Sequence, residues 1–153
     1  MSEQQPAFSI EKIYVKDASL EAPNTPQIFF EPTQPQVEVQ LRTSAERIAE
    51  ALYEVVVTVT VTAKAGDKTC FLVEGAQAGI FQIRNVPESD LEPILGIACP
   101  NILFPYARET VADLVARAGF PPIHLAPVNF EAMYAARKQA EAGEAGPRIE
   151  VAH

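Results

Sequence analysis

The chain of 153 residues is the size of one domain, and with 48% hydrophobic and 21% charged residues it can bury a core without disulfides. Twenty acidic residues against twelve basic ones give a formal net charge of −8. The basic residues are scattered singly apart from Arg137-Lys138, which argues against nucleic acid or an anionic lipid surface as partner.

Four stretches read as strands. Phe8 to Val15 is rich in aromatic and β-branched residues, and its apolar phase shifts between Ile10 and Ile13, which predicts a bulge. A connection over residues 21–35 follows, in which Pro23, Pro26, Pro32 and Pro35 forbid a regular element although Ile28-Phe29-Phe30 is strongly apolar. Gln36 to Thr43 alternates, with Val37, Val39 and Leu41 on one face, while Ser44 to Ala51 reads equally as short helix or loop. Tyr53 to Ala63 is the clearest strand, placing Tyr53, Val55, Val57, Val59 and Val61 on one side. After the turn Ala65-Gly66-Asp67-Lys68, Thr69 to Ile83 completes a hairpin, and Gly75 and Gly79 within it read as bulges or places of close backbone approach.

Beyond Ile83 the period becomes helical. Glu88 to Ile97 reads as one short helix capped by Ser89 or Asp90, its acidic start suiting the helix dipole. Pro105 is expected to open a second helix ending before Gly119, with Ala107, Val111, Leu114, Val115 and Ala118 as one stripe. The proline-rich apolar link 119–128 leads to a last helix capped by Asn129 and running to about Glu141, with Phe130, Met133 and Tyr134 on its apolar side. One domain over 1–142 and a disordered acidic tail over 143–153 are expected.

Chemistry is hard to find. Histidines are limited to His124 in an apolar loop and His153 at the terminus, so no catalytic residue is assigned and an enzyme is not expected. No phosphate-cradling glycine motif is present, and Cys70 and Cys99 stand in no metal pattern, so neither cofactor nor metal is expected. The polar start Met1-Ser2-Glu3-Gln4-Gln5 is unlike a signal peptide and no apolar run is long enough for a membrane span, so reduced core thiols in a cytoplasmic protein are expected. Asp17 and Glu21 have nothing to fix their separation for acid–base work. They read as solvated acids or as part of a protein-docking surface. The two proline-stiffened apolar loops either cover this chain's own core or offer themselves to another chain, and pattern leaves both readings open.

Several blocks carry a resemblance. They are Phe8-Ser9-Ile10, Tyr14 through Asn24, Tyr53-Glu54-Val55-Val56 running into Val59 to Ala63, Cys99-Pro100-Asn101-Ile102-Leu103-Phe104-Pro105-Tyr106-Ala107-Arg108-Glu109, and Leu125-Ala126-Pro127-Val128-Asn129-Phe130. In this order they resemble the SecB protein-export family over about residues 8 to 141. The resemblance implies an α+β fold, a four-stranded antiparallel sheet followed by two main helices, assembled as a homotetramer that is a dimer of dimers. It implies an ATP-independent chaperone that holds unfolded precursor proteins and delivers them to SecA, the export ATPase, without itself inserting into the membrane. An alternative within the fold is a SecB-like holdase serving another partner, such as an antitoxin.

By position, the resemblance implies a SecA-binding surface of Asp17, Glu21, Leu72 and Glu74, facing a basic, zinc-bearing tail whose metal belongs to SecA. It implies a substrate groove of Ile28, Phe29, Phe30, Val37, Phe120, Ile123, Leu125, Phe130, Met133 and Tyr134. Val73, Gly75 and Gln77 match positions that influence oligomer assembly. Thr33 stands where some members carry an aromatic, and Gly75 where some carry a larger residue.

Overall fold

The computed structural model describes residues 4–143, so the tail expected beyond Gly143 lies outside the described residues. Four strands, β1 (Ala7–Glu21), β2 (Gln36–Ala49), β3 (Leu52–Ala65) and β4 (Lys68–Arg84), form one antiparallel sheet in the order β1-β4-β3-β2. Each strand is longer than its apolar alternation, because backbone pairing continues where the side chains turn polar. The ambiguous stretch after Thr43 is strand: Ser44, Ala45, Glu46 and Arg47 pair with Val56, Val55, Glu54 and Tyr53. The two-residue turn Gly66-Asp67 joins β3 to β4, and glycine supplies its positive φ of 67°.

β1 and β2 are opposite edges of the sheet, so the proline-rich connection between them must cross its whole end. A turn of 3-10 helix over Gln27–Phe30 lets it drop Ile28 into the core on the way. β1 carries the bulge expected from its apolar phase, between Ile10 and Lys12, and a second one, not expected, between Val15 and Asp17. Neither Gly75 nor Gly79 is a bulge, since β4 keeps register at both. Gly79 is instead a seat for a helix: a Cβ there would stand 2.9 Å from both Leu103 Cδ2 and Phe81 Cε1.

The helical half departs from expectation in two respects. Helix α1 (Glu88–Pro93) runs through a π turn (Ile94–Ala98) directly into α2 (Cys99–Arg117), so Pro105 does not open the helix but lies inside it. Pro105 and Asn101 are both exposed, so Pro105 lies on the solvent side of the helix, where the bond lost to its missing N–H costs least. Neither Ser89 nor Asp90 caps α1; the extended Pro87 precedes it, and Glu88 and Asp90 occupy the first turn. Helix α3 (Phe130–Ala142) begins as expected, the Asn129 side chain accepting from the Ala132 N–H at 2.9 Å.

Helix α2 lies across β3 and β4. Its Leu103, Ala107, Val111 and Val115 meet a sheet surface that includes Val55, Val57, Val59, Val61, Val73 and Phe81, all buried. Cys70 and Cys99 are buried in the same core, and burial pushes the Cys99 thiol up to about 12. Leu103→Ala removes the side chain that fills the notch above Gly79. It should lower stability by about 2–5 kcal/mol, read as a lower urea midpoint with unchanged slope.

Candidate functional site

Residues paired across an antiparallel ladder share a face, and successive residues alternate. On β4, Val73, Gly75 and Gln77 point towards α2, where the nearest side-chain atoms to a Cβ at Gly75 would be those of Thr110 and Val111, at 3.6 and 3.8 Å. Leu72, Glu74 and Ala76 therefore point the other way, and with them their partners Glu21, Ser19 and Asp17 on β1. The four residues of the implied SecA-binding set are thus on one face of the sheet, opposite the helices. Thr58, Thr60 and Thr62 of β3 and Arg42, Gln40 and Glu38 of β2 continue its rows.

Asp17 and Glu21 are exposed on this face. Glu74 is more constrained, accepting a hydrogen bond from Thr60 Oγ1 at 3.2 Å and lying 3.8 Å from Arg42 Nη2. Glu38 is the acid that motif reading missed: it ends the row Glu21, Leu72, Thr62, Glu38. The alternation of Val37 and Val39 already placed it opposite the apolar side of β2. Strand spacing of roughly 4.8 Å puts Glu21 and Glu38, three strands apart, about 14 Å from each other, close enough for one extended basic segment to meet both.

Beside this patch lies a second polar cluster. Glu54 accepts from the Tyr14 hydroxyl and pairs with Lys16 Nζ at 2.8 Å. The Lys16 hydrogen bond, and then that of Tyr14, hold the Glu54 carboxyl below its usual range. Desolvation, followed by the nearby Glu54, pushes Tyr14 up to about 12.

The residues expected to line a groove fall into two clusters on the helix side. In the first, Phe120 of the link packs between Phe29 of the β1–β2 connection, centroids 5.1 Å apart, and Phe71, at 5.0 Å. Gly119, with a φ of 95°, makes room for Phe29, whose Cζ would be 3.1 Å from a Cβ there. Phe30 beside them is 84% exposed, with Phe29 and Val37 about half exposed. Ile123 and Leu125 are half-buried against the core. In the second cluster Phe130 packs edge-on to Phe104, and Tyr134 lies on Gly96 of the π turn and donates to Glu92 Oε1 at 3.2 Å. Met133 is half-buried there.

Two assignments change in character. Ile28 and Phe130, expected as groove residues, are only 6% and 2% exposed, so they belong to the core. Val73, Gly75 and Gln77, expected to influence oligomer assembly, are buried under α2 in the single chain. Thr33 lines a cleft of about 530 Å³ with Gln34, Val37 and Lys64. His124 is exposed in the link. Among the described residues no helix is long and apolar enough to cross a membrane.

A family profile described as "SecB: Preprotein translocase subunit SecB" matches residues 1–141. The chain belongs to the SecB family. A protein-export protein SecB of Chromobacterium violaceum is 64% identical over 150 residues, covering 95% of this chain and all of that one. One from Methylobacillus flagellatus is 64% identical over 92% of this chain and 89% of its own, and one from Burkholderia multivorans 57% identical over 94% and 92%. Among solved structures, a Mycobacterium tuberculosis SecB-like chaperone in complex with a ChAD peptide from an antitoxin superposes with a TM-score of 0.66 at 16% identity, over 79% of this chain and 90% of that one. That likeness concerns the SecB fold: an antiparallel sheet with its helices on one side.

In this chain the cluster of Lys16, Glu54 and the half-buried Tyr14 makes stability pH-dependent at both ends. Glu54, held low in the folded state, contributes stability that is present above its ordinary value and lost as pH falls through the folded one. Tyr14, held high, contributes stability that is present below its ordinary 10.0 and lost as pH rises through about 12. Tyr14→Phe should cost about 1 kcal/mol near neutral pH, and urea titrations should show the gap from wild type closing at the alkaline end.

Proposed function

We propose that this SecB-family chain is an ATP-independent cytoplasmic holdase that keeps precursor proteins unfolded and hands them to SecA, and that it is not an enzyme. The observation that carries this reading is the separation of two surfaces by one sheet. Acids and threonines occupy the face away from the helices, while half-exposed aromatics gather where the loops meet on the other.

The apolar side suits a client without a sequence motif. Burial of apolar area stabilises a complex by roughly 25 cal/mol per Å² whichever apolar side chain supplies it. Phe29, Phe30, Val37, Phe120, Ile123, Leu125, Met133 and Tyr134 offer such area on proline-stiffened loops and a helix, so little ordering cost is added on binding. Ile28 and Phe130 fix the walls from behind. Capture competes with client folding by mass action on the unfolded state. In a dimer of dimers, several grooves engaging one long chain would raise avidity without new contacts.

Asp17, Glu21, Leu72 and Glu74, joined by Glu38, form the docking surface for the basic tail of SecA. The net charge of −8 steers that tail towards it. Val73, Gly75 and Gln77 act on the tetramer through the seating of α2. A SecB-like holdase serving an antitoxin is the second reading, raised by the peptide complex of the mycobacterial fold relative. The 57–64% identity to export proteins favours the first.

Replacing Asp17, Glu21 and Glu74 together by their amides should weaken SecA binding at least tenfold in titration calorimetry and leave suppression of client aggregation intact. Equal loss of both activities would remove the division of labour between the faces. Phe30→Ser should lower client capture while moving stability by no more than about 0.5 kcal/mol, since its ring has little packing to lose. Undiminished capture by that variant would take Phe30 out of the groove.

A further inference from the structure

The acidic face exists because of one extra residue. Val15 pairs with Gln77, Asp17 with Ala76 and Ala18 with Gly75, so Lys16 is inserted without a partner of its own. Were the ladder to run on without that insertion, Asp17 would stand opposite Gly75, Ser19 opposite Val73 and Glu21 opposite Phe71. All three would then face α2, because a slip of one residue moves every side chain to the other side. The Lys16 bulge therefore turns Asp17 and Glu21 outward.

The bulge is gripped from both faces. On the outer face Lys16 pairs with Glu54 at 2.8 Å. On the inner face Gln77, 4% exposed, donates from Nε2 to the carbonyl of Tyr14 at 3.2 Å. The same Gln77 accepts at Oε1 from the Thr110 hydroxyl of α2 at 3.1 Å. A buried amide with donor and acceptor both engaged has one orientation, and here that orientation ties helix to strand. Beyond the bulge, Leu20 packs against the core opposite Val73 and holds the outer half of β1.

We propose that Gln77, oriented by Thr110, is a positioning residue for the acidic docking surface. The hydrogen-bond relay from Thr110 through Gln77 to Tyr14 fixes the bulge, so the seating of α2 and the presentation of Asp17 and Glu21 are coupled. The coupling is reciprocal: a partner that stiffens the acidic face also stiffens the seat of α2. This proposal rests on the docking role assigned to that face.

The test uses the full-length chain. Thr110→Val keeps the shape of the side chain and removes its hydroxyl, whereas Thr110→Ser keeps the hydroxyl and removes the methyl. Amide hydrogen exchange over residues 14–21 is measured with β3 as a control for global stability, alongside SecA affinity, client capture and particle mass by light scattering. Thr110→Val is expected to speed exchange over 14–21 and weaken SecA binding by about fivefold each, the worth of one neutral hydrogen bond. Client capture should stay at its wild-type value, and Thr110→Ser should restore both altered readouts. Wild-type exchange over 14–21 in Thr110→Val, or equal changes in the serine variant, would overturn the relay. A change in mass with exchange unaltered would also overturn it. Exchange reports the relay without SecA, so a wild-type chain that fails to bind SecA would count against the docking role instead.

Discussion

Side chains along a strand alternate between faces, and every use of this sheet depends on keeping that parity aligned across four strands. β3 sets it: Val55, Val57, Val59 and Val61 are fully buried under the helices while Thr58, Thr60 and Thr62 point the other way. β4 follows in register, and α2 settles into the notch left by Gly79. β1 could not stay in phase over fifteen residues with its own sequence, and two inserted residues correct it. One apolar contact, helix on sheet, thereby decides which acids on distant strands meet water.

Much of this was legible in the chain. The valine ladder of β3, the Gly66-Asp67 turn and the Asn129 cap are local signals, and each marks the feature found at its position. What the chain hid depended on partners. The polar end of β2 is strand because β3 pairs with it, not because of its own composition. Pro105 sits within α2 because it lies on the solvent side of the helix, which a sequence pattern does not report. The second bulge of β1 does shift the apolar phase, from Val15 to Leu20, but the polar Lys16-Asp17 and the small Ala18 between them weaken the signal.

The candidate sites divide in the same way. The exposed acids were readable as a docking surface only through resemblance, and their common face follows from ladder register. Glu38 needed the third and fourth strands to be placed beside them. Burial separates Ile28 and Phe130 from the other apolar loop residues, and likewise places Val73, Gly75 and Gln77 beneath a helix. Sequence identifies such positions by kind, but depth is a property of the packed molecule.

The first strand leaves one matter open to water. Phe8, Ile10 and Val15 are about half exposed along an outer edge whose backbone groups have a neighbour on one side only. A newly released copy of this polypeptide is thus a sticky object in its own right, prone to the same mishaps as the molecules it looks after. Its solubility should depend on how well that edge is kept away from other bare strands.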